Sequence, residues 1–200
     1  MKEHAPDSLA KELKRKVFHL ATLLYLLAYL ELGYPLTLYL MAGWMGLITL
    51  VETARLISPA VRSFLHNIFA PIMRHKEERR YTGAFYTSLG AFLTFYFFGE
   101  RPAIVNAALL YLALGDAAAA IIGKRWGRHP YAIWGSTKTL EGSLAGMTVA
   151  VLCGLALGMP AKLVAGGAAA FCVADAVPFP PDDNLWIPVL TGAALRCLGA

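Results

Sequence analysis

Charged residues are scarce in this chain of 200 residues: Asp, Glu, Lys and Arg together make up 16%, whereas 58% of the residues are hydrophobic. A soluble domain usually has about 25% charged and 45–50% apolar residues. The deficit of charge argues against an ordinary water-exposed surface and favours an integral membrane protein. The length leaves no residues for a second domain, so we expect one integral membrane domain over residues 1–200.

Cysteine and histidine are also too sparse to suggest a metal or disulfide framework. The three cysteines, Cys153, Cys172 and Cys197, are scattered through apolar segments with neither paired nor metal-like spacing. The five histidines are equally dispersed. We therefore expect the cysteines to be small buried hydrophobic residues and expect no zinc site.

Long apolar runs, by contrast, are abundant. A hydrocarbon core about 30 Å thick requires roughly 17–25 apolar residues per helix. The sequence therefore predicts an all-α polytopic membrane protein with about seven transmembrane helices. These are expected at approximately 16–32, 35–52, 83–99, 102–123, 143–159, 161–178 and 184–198.

The distribution of positive charge predicts how these helices are oriented. Fifteen of the 18 Lys and Arg residues fall in the N-terminal segment up to and including Lys16 or in the segments 53–82 and 124–142. Because cytoplasmic loops carry an excess of Lys and Arg, we predict a cytoplasmic N-terminus and a cytoplasmic working face. Topology and anionic lipid headgroups account for the net charge of +5, so we expect membrane lipids and no nucleic acid as partners.

Asp116 is unusual because it is a carboxylate within an apolar helical run. Such a residue costs at least ~2.5 kcal/mol on insertion scales and usually faces a cavity where it has a function. Ala120, Gly123 and Gly127 follow on roughly the same helical face. This strip of small residues fits either a neighbouring helix or a bound ligand, and the cations that follow it favour a ligand.

The segment 134–143, WGSTKTLEGS, has the composition of an anion-binding loop. Glycines and hydroxyl residues expose backbone amides, and Lys138 supplies a point charge suited to phosphate. Thr139 or Ser143 is expected at the N-terminus of the fifth span, where the helix dipole favours anions. Glu141 adds a second carboxylate, which we expect near Asp116 as a ligand for Mg²⁺. The cytosolic segment of about 115–143 therefore contains the parts of a phosphoryl-transfer site, although it has neither a Walker A loop nor a Gly-x-Ser-x-Gly elbow.

These residues carry a resemblance to a known family. Gly115-Asp116 with Gly123 and Gly127, followed by KTLEGS at 138–143, resembles the CTP-dependent lipid-alcohol kinases: dolichol kinase, phytol kinase and fungal diacylglycerol kinase. The KTLEGS loop is most similar to that of dolichol kinase. Further segments that resemble the family in the same order are Glu12, Arg15, Lys16 and His19; Glu52 and Arg55; Thr82-Gly83-Ala84; and Asp183-Asn184-Leu185 with Ile187-Pro188.

The resemblance implies transfer of the γ-phosphate of CTP, with Mg²⁺ or another divalent cation, to the hydroxyl of a membrane lipid alcohol. Polyprenol or dolichol is the foremost expected acceptor, followed by phytol or diacylglycerol. Asp116 and Glu141 are the expected metal ligands, Lys138 is expected to hold the phosphates, and His19 is expected to receive or orient the acceptor hydroxyl proton. The expected nucleotide-binding residues are Gly115, Gly123, Lys124, Arg125, Gly127, Thr137, Lys138, Thr139, Gly142 and Ser143; those on the acceptor side are Glu12, Arg15, Lys16 and His19.

Several of these residues also have simpler explanations. Glu12, Lys16 and His19 share one helical face, which also suits a juxtamembrane anchor. Glu52 with Arg55 fits an interfacial ion pair, and Asp183 or Asn184 fits a helix cap as well as the nucleotide site. Segment 56–82 is expected to be a solvated amphipathic stretch or a lipid-surface segment.

Three other functions remain open. A cytidylyltransferase acting on a phosphorylated lipid would use similar residues but would transfer CMP. A transporter would usually show an internal repeat, which the sequence lacks. A purely structural membrane protein would not need charged Asp116 or Glu141.

Overall fold

The computed structural model describes residues 9–70 and 75–200, and within them all side chains except those of residues 9–12, 18, 75 and 76. Ten α-helices and one two-stranded sheet make up the regular structure of this part. The helices are α1 (Leu9–His19), α2 (Thr22–Leu32), α3 (Leu36–Ile57), α4 (Pro59–Phe69), α5 (Gly83–Phe98), α6 (Pro102–Leu110), α7 (Asp116–Trp126), α8 (Leu140–Ala156), α9 (Ala161–Ala176) and α10 (Asp183–Cys197). A 3₁₀ turn, His75–Arg79, precedes α5.

Each predicted span is helical in the structure, and one of them is divided into two helices. The predicted helix 16–32 is interrupted at residues 20–21, so that α1 and α2 are separate. A π-helical turn, Tyr111–Gly115, joins α6 to α7, which makes Pro102–Trp126 one continuous helix. In the described residues, this helix and Leu36–Ile57 are long and apolar enough to cross a membrane, and Gly83–Phe98 and Leu140–Ala156 are apolar but shorter.

The continuous helix formed by α6, the π turn and α7 supplies the centre of the protein. Ile104, Val105 and Leu109 are fully buried in its first half. Tyr111, in the π turn, packs edge-on against Phe171 of α9 with ring centroids 6.2 Å apart. Helices α2, α5, α8 and α10 contact the first half of this central helix, and most of its residues from Ile104 to Leu109 are buried as a result.

The outer helices expose large apolar side chains. Leu24 and Leu30 of α2, Leu50 of α3, and Leu144 and Leu152 of α8 are each more than half exposed. Soluble monomers rarely expose apolar surface of this extent, whereas lipid-facing helices do so by necessity. The surface and the two long apolar helices are consistent with a membrane protein.

Residues 130–139 form a β-hairpin, which the all-helical prediction did not include. Strand β1 (Pro130–Ile133) pairs antiparallel with β2 (Ser136–Thr139), so that Tyr131 lies opposite Lys138. Trp134 and Gly135 form the turn with φ angles of 45° and 82°. Positive φ at both central residues is typical of the turns that match the twist of a tight hairpin. The hairpin holds Lys138 on a short, rigid strand rather than on an open loop.

Small residues allow α7 and α8 to pack closely, and this accounts for the strip that follows Asp116. A Cβ atom added to Gly123 would lie 2.8 Å from Oγ1 of Thr139, and one added to Gly127 would lie 2.6 Å from Cγ2 of the same residue. The space along this face is therefore filled by the start of α8. Of the two alternatives for the strip, helix packing is confirmed, and an open ligand groove along this face is wrong.

The N-termini of α8 and α10 are capped by a hydroxyl and a carboxylate side chain, respectively. Thr139 accepts a hydrogen bond from the amide of Gly142, which confirms the prediction that it begins the fifth span. The cap of α10 is one residue earlier than expected. Asp182, rather than Asp183 or Asn184, accepts from the amide of Asn184, because the helix begins at Asp183 and its cap must precede it.

The contact between α7 and α8 predicts a specific effect of a methyl group. In Gly142→Ala the new Cβ would lie 2.6 Å from the backbone oxygen of Ala119, which cannot move without shifting α7. We expect this overpacking to destabilise the protein by about 1–3 kcal/mol, measured as a lower midpoint of thermal unfolding in detergent.

Gly46→Ala is the matched control, because no atom lies within 4 Å of a Cβ at Gly46, inside α3. We expect this variant to be neutral or slightly stabilising, since alanine favours helix more than glycine does. Equal midpoints for the two variants would contradict the close packing of α7 on α8.

Candidate active site

Asp116 lies at the junction of the π turn and α7 and is 4% exposed. Nζ of Lys16, from α1, donates a hydrogen bond to Oδ2 of Asp116. Nε2 of His19 lies 3.4 Å from the same oxygen and 3.1 Å from the backbone oxygen of Leu112. Lys16 and His19 therefore contact Asp116 although they lie 100 and 97 positions before it in the sequence. π turns inside helices occur frequently at functional sites, and this one sets where Asp116 begins α7.

A second ion-pair cluster adjoins the first. Nζ of Lys138, on β2, lies 2.8 Å from Oδ1 of Asp175 at the end of α9 and 3.6 Å from Oδ2 of Asp183 at the start of α10. Asp116, Asp175 and Asp183 each offer one carboxylate oxygen, and these three oxygens all lie within 4.8 Å of one another. Five elements of the fold thus bring three acids and two lysines together.

The charges of this cluster are mutually dependent. Burial by itself would lower the pKa of Lys138, but the carboxylates of Asp175, Asp183 and Asp116 raise it above its ordinary value. A raised pKa in the folded state means that the charged lysine stabilises the fold at every pH below its ordinary pKa, and this contribution is lost only at strongly alkaline pH. Lys138 therefore remains a cation throughout the neutral range.

The three carboxylates fit a divalent cation. Mg²⁺ and Ca²⁺ prefer oxygen ligands and are commonly held by a few Asp or Glu side chains together with water or phosphate. Asp116 and Asp175 are both almost completely buried and their negative charges are balanced by Lys16 and Lys138. The three carboxylate oxygens and their spacing would suit a divalent cation. In the absence of a metal, the ammonium groups of Lys16 and Lys138 balance the negative charge of the carboxylates.

Glu141 does not belong to this group, contrary to its predicted pairing with Asp116. Its Oε1 lies 2.6 Å from Nδ1 of His129 at an exposed position. The neighbouring Gly142 lies against Ala119 and Gly123, which are three and seven residues beyond Asp116 on α7. Because α7 and α8 run antiparallel, Gly146, one turn further along α8, lies nearer to the start of α7, against Gly115 and Ala119. The carboxylates that lie close to Asp116 are those of Asp175 and Asp183.

The predicted nucleotide-binding residues divide into packing residues and surface residues. Gly115 lies against the ring of Phe171, where a Cβ would be 2.9 Å away. Oγ of Ser143 lies 2.6 Å from the hydroxyl of Tyr131. At the surface are Thr137 on the hairpin and Lys124 and Arg125 in the last turn of α7. Of the predicted set, only Lys138 reaches the carboxylate cluster among the described side chains.

Glu52 and Arg55 form a buried ion pair that also binds the segment immediately before α5. Arg55, 1% exposed, donates to Oε2 of Glu52 at 2.7 Å and to the backbone oxygens of Glu77 and Arg80 at 3.0 and 2.6 Å. Glu52 in turn accepts from the hydroxyl of Thr82 at 3.0 Å. The pair joins the end of α3 to the segment before α5. On the acceptor side, the side chain of Glu12 lies outside the described part of the chain.

A cavity of about 590 Å³ opens beside the Lys16–His19 end of the cluster. Its lining contains charged side chains, among them Arg15, Lys16 and His19, and apolar side chains from α2 and α3, including Leu24 and Leu47. The cavity therefore offers both charged groups and hydrocarbon side chains to a molecule that enters it.

Asp175 is the residue that the motifs did not reveal. It lies near the end of the predicted span 161–178 and is 2% exposed. The signal that singled out Asp116, a carboxylate inside an apolar run, applies equally to Asp175 and would have identified it.

The fold and this geometry define a helical protein with apolar outer surfaces, a buried acid–lysine cluster and an amphipathic cavity beside it. Comparison with known proteins agrees with this class. The chain is 32% identical over 134 residues to a protein named phytol kinase in Synechocystis sp., covering 66% of the chain and 53% of that relative. It is 28% identical over 155 residues to CTP-dependent diacylglycerol kinase 1 of Schizosaccharomyces pombe, covering 68% of the chain and 69% of that relative.

CTP-dependent diacylglycerol kinase 1 of Saccharomyces cerevisiae is 29% identical over 144 residues, which cover 70% of the chain and 48% of that relative. The alignments with the Synechocystis and Saccharomyces cerevisiae relatives thus span only about half the length of each. No family model and no solved structure matches the chain. The predicted resemblance is confirmed: the chain has phytol kinase and CTP-dependent diacylglycerol kinases as homologues, which supports the CTP-dependent lipid kinase family.

The buried pair of Lys16 and Asp116 predicts a large cost of removing the cation alone. In Lys16→Met the carboxylate of Asp116 stays buried beside two other acids, so we expect a destabilisation of about 3 kcal/mol. Adding Asp116→Asn to the same chain removes the uncompensated charge and should recover most of the loss. The measurement is the thermal unfolding midpoint of the single and double variants in detergent.

Lys14→Met is the matched control, because Lys14 lies two residues away on an exposed position of α1. We expect its unfolding midpoint to equal that of the wild type. Additive losses in the Lys16 and Asp116 double variant would contradict a direct ion pair between the two side chains.

Proposed function

We propose that the protein is a lipid-alcohol kinase that transfers the γ-phosphate of CTP to the hydroxyl of a membrane lipid. The observation that carries this proposal is the junction of the amphipathic cavity with the acid–lysine cluster at Lys16 and His19. Such a junction allows a lipid to keep its chain in the bilayer while its hydroxyl meets a soluble nucleotide. The named activities of the homologues support the same reaction and the same donor.

On the acceptor side, His19 has the geometry of a general base. A backbone carbonyl only accepts hydrogen bonds, so Nε2 of His19, 3.1 Å from the oxygen of Leu112, carries the hydrogen. The neutral imidazole then presents an unprotonated Nδ1. Asp116, close to Nε2, orients the ring and stabilises the imidazolium that forms when Nδ1 takes a proton.

On the donor side, Lys138 is the cation best suited to the phosphates. It remains charged in the neutral range and lies beside Asp175 and Asp183. A divalent cation held by Asp116, Asp175 and Asp183 would neutralise charge on the phosphates. Lys16, which shares the Asp116 carboxylate with His19, stands between the donor and acceptor sides.

The reaction follows from this arrangement. The lipid hydroxyl oxygen attacks the γ-phosphorus as its proton passes to Nδ1 of His19. A new phosphorus–oxygen bond to the lipid forms, the bond from the γ-phosphorus to the β,γ-bridging oxygen breaks, and CDP leaves. Because phosphoryl transfer depends mainly on positioning and on charge stabilisation, the residues required are those that align the two substrates.

The orientation in the membrane and the lipid are part of this proposal. Seven spans with a cytoplasmic N-terminus, as the distribution of Lys and Arg favours, would open the cluster to the cytoplasmic nucleotide pool. The KTLEGS loop favours polyprenol or dolichol as acceptor, whereas the names of the homologues offer phytol and diacylglycerol. An acceptor panel separates these alternatives.

The decisive experiment follows the label of CTP into lipid. Purified protein is given Mg²⁺, one lipid alcohol, and CTP labelled in either the γ- or the α-phosphate. We expect label from γ-labelled CTP alone in the lipid. Label from α-labelled CTP, obtained with a phosphorylated lipid, would instead establish the cytidylyltransferase alternative.

Asp116→Asn tests whether the cluster performs this transfer. The substitution removes the charge that Lys16, His19 and a divalent cation share, so we expect transfer to be abolished while the protein remains inserted and folded. Glu31→Gln, which removes an exposed acid at the end of α2, is the control and should retain activity. An active Asp116→Asn variant would remove Asp116 from the mechanism.

A further inference from the structure

Helix α4 buries none of its residues in the described part of the protein. It nevertheless carries large apolar side chains, since Phe64 is 65% exposed and Ile68 is 52% exposed. An amphipathic helix of a globular protein usually turns its apolar stripe toward the core. The apolar stripe of α4 therefore faces something other than the core of this chain.

The helical period divides α4 into three sides. Phe64 and Ile68, four residues apart, share the outer side. Ser63 and His66 lie on roughly the opposite side, where they line a second cavity of about 300 Å³. Leu65 lies between these two sides and lines the larger cavity of about 590 Å³. Helix α4 thus has an apolar outer side, a polar side and a side that forms part of the wall of the larger cavity.

The end of α3 places α4 at a face of the membrane. Helix α3 has 22 residues, which at 1.5 Å per residue extend about 33 Å and suffice to cross a hydrocarbon core about 30 Å thick. Ile57 ends this helix, and only Ser58 separates it from α4. A helix that begins so soon after the end of a spanning helix starts at the level where the hydrocarbon meets the lipid headgroups.

Arg62 holds α4 at the end of α3. Its Nη2 donates a hydrogen bond to the backbone oxygen of Leu56 at 2.6 Å, and its Nε donates to the backbone oxygen of Arg55 at 3.3 Å. These oxygens belong to the last turn of α3, where backbone carbonyls have no partner within the helix. The polar side of α4 is therefore attached to α3, and the outer side is directed away from this attachment.

The exposed apolar surface of α3 leads to the start of α4. Leu50 and Ile57, seven residues apart on one face of α3, are 69% and 76% exposed. Because Ile57 ends α3, this lipid-facing strip extends to the point where α4 begins. A helix in the membrane interface buries its apolar side about 5–10 Å into the boundary between headgroups and acyl chains, and keeps its polar side toward water. The sides of α4 are distributed in this way.

We propose that α4 is an interfacial helix that lies along the membrane surface, with Phe64 and Ile68 inserted among the lipid acyl chains. The bilayer that α3 crosses covers the outer side of α4. Because Leu65 and Phe69 line the larger cavity, this position brings one wall of that cavity to the depth of the lipid headgroups. The proposal concerns the surface of α4 and does not depend on which reaction the acid–lysine cluster performs.

The experiment measures the depth of single spin labels in a bilayer. The whole chain, with Cys153, Cys172 and Cys197 replaced by alanine, carries one label at Phe64→Cys or Ile68→Cys and is reconstituted into phospholipid nanodiscs. Collision of the label with oxygen, which concentrates in hydrocarbon, is compared with collision with a water-soluble nickel chelate. We expect both labels to lie about 5–10 Å below the lipid phosphates. Both positions are more than half exposed, so the labels should not disturb packing.

Ser63→Cys and His66→Cys are the matched controls, because both side chains are exposed and lie on the polar side of α4. Their labels should lie above the phosphates and collide with the nickel chelate. Equal depths on the two sides of α4 would overturn the proposal. Strong dipolar coupling between Phe64→Cys labels on two copies of the chain would also overturn it, because a second copy rather than lipid would then cover the outer side. Labels at the expected depth in a protein that transfers no phosphate would contradict the kinase proposal alone.

Discussion

The buried carboxylate of Asp116 is the constraint on which the arrangement of the site depends. A charge held at 4% exposure in an apolar protein must be compensated, and Lys16 and His19 provide this compensation from α1. Their contact draws the first helix onto the start of α7 and brings the charged part of the cavity lining to the same place. The carboxylates of Asp175 and Asp183 lie a few ångströms away and also need a positive partner, which Lys138 on the hairpin provides. The demand for charge compensation thus joins distant segments of the chain into one cluster.

The same constraint explains why a hairpin interrupts a helical protein. Lys138 must reach acids on α9 and α10 while the chain passes from the end of α7 to the start of α8. A tight turn at Trp134 and Gly135 returns the chain within ten residues, and Thr139 begins the next helix directly after β2. The glycines of this region then serve close packing of α7 on α8, since a side chain at Gly123 or Gly142 would separate the two helices.

Sequence reasoning predicted the helices and part of the site for identifiable reasons. Long apolar runs predict helices because a backbone buried in lipid must satisfy its own hydrogen bonds, which a helix does. An acid inside such a run, as at Asp116, indicates a functional residue because its burial costs free energy. The pairing of Glu141 with Asp116 failed because it assumed that nearness in sequence means nearness in space, whereas Glu141 pairs with His129 and the carboxylates near Asp116 come from α9 and α10. The contact of Lys138 with Asp175 spans 37 positions and depends on how α9 packs, which no local pattern records.

The central claim is that Asp116, Asp175, Asp183 and Lys138 form one phosphate-binding site beside the acceptor cavity. The most direct test is a structure determined with Mn²⁺ and a CTP analogue that has a non-hydrolysable β,γ linkage. The account predicts anomalous scattering from manganese among the three carboxylates and the γ-phosphate against Lys138, within reach of His19. Manganese and phosphate bound at Glu141 or the hairpin tip, with Lys16 and Lys138 still paired to their acids, would contradict it.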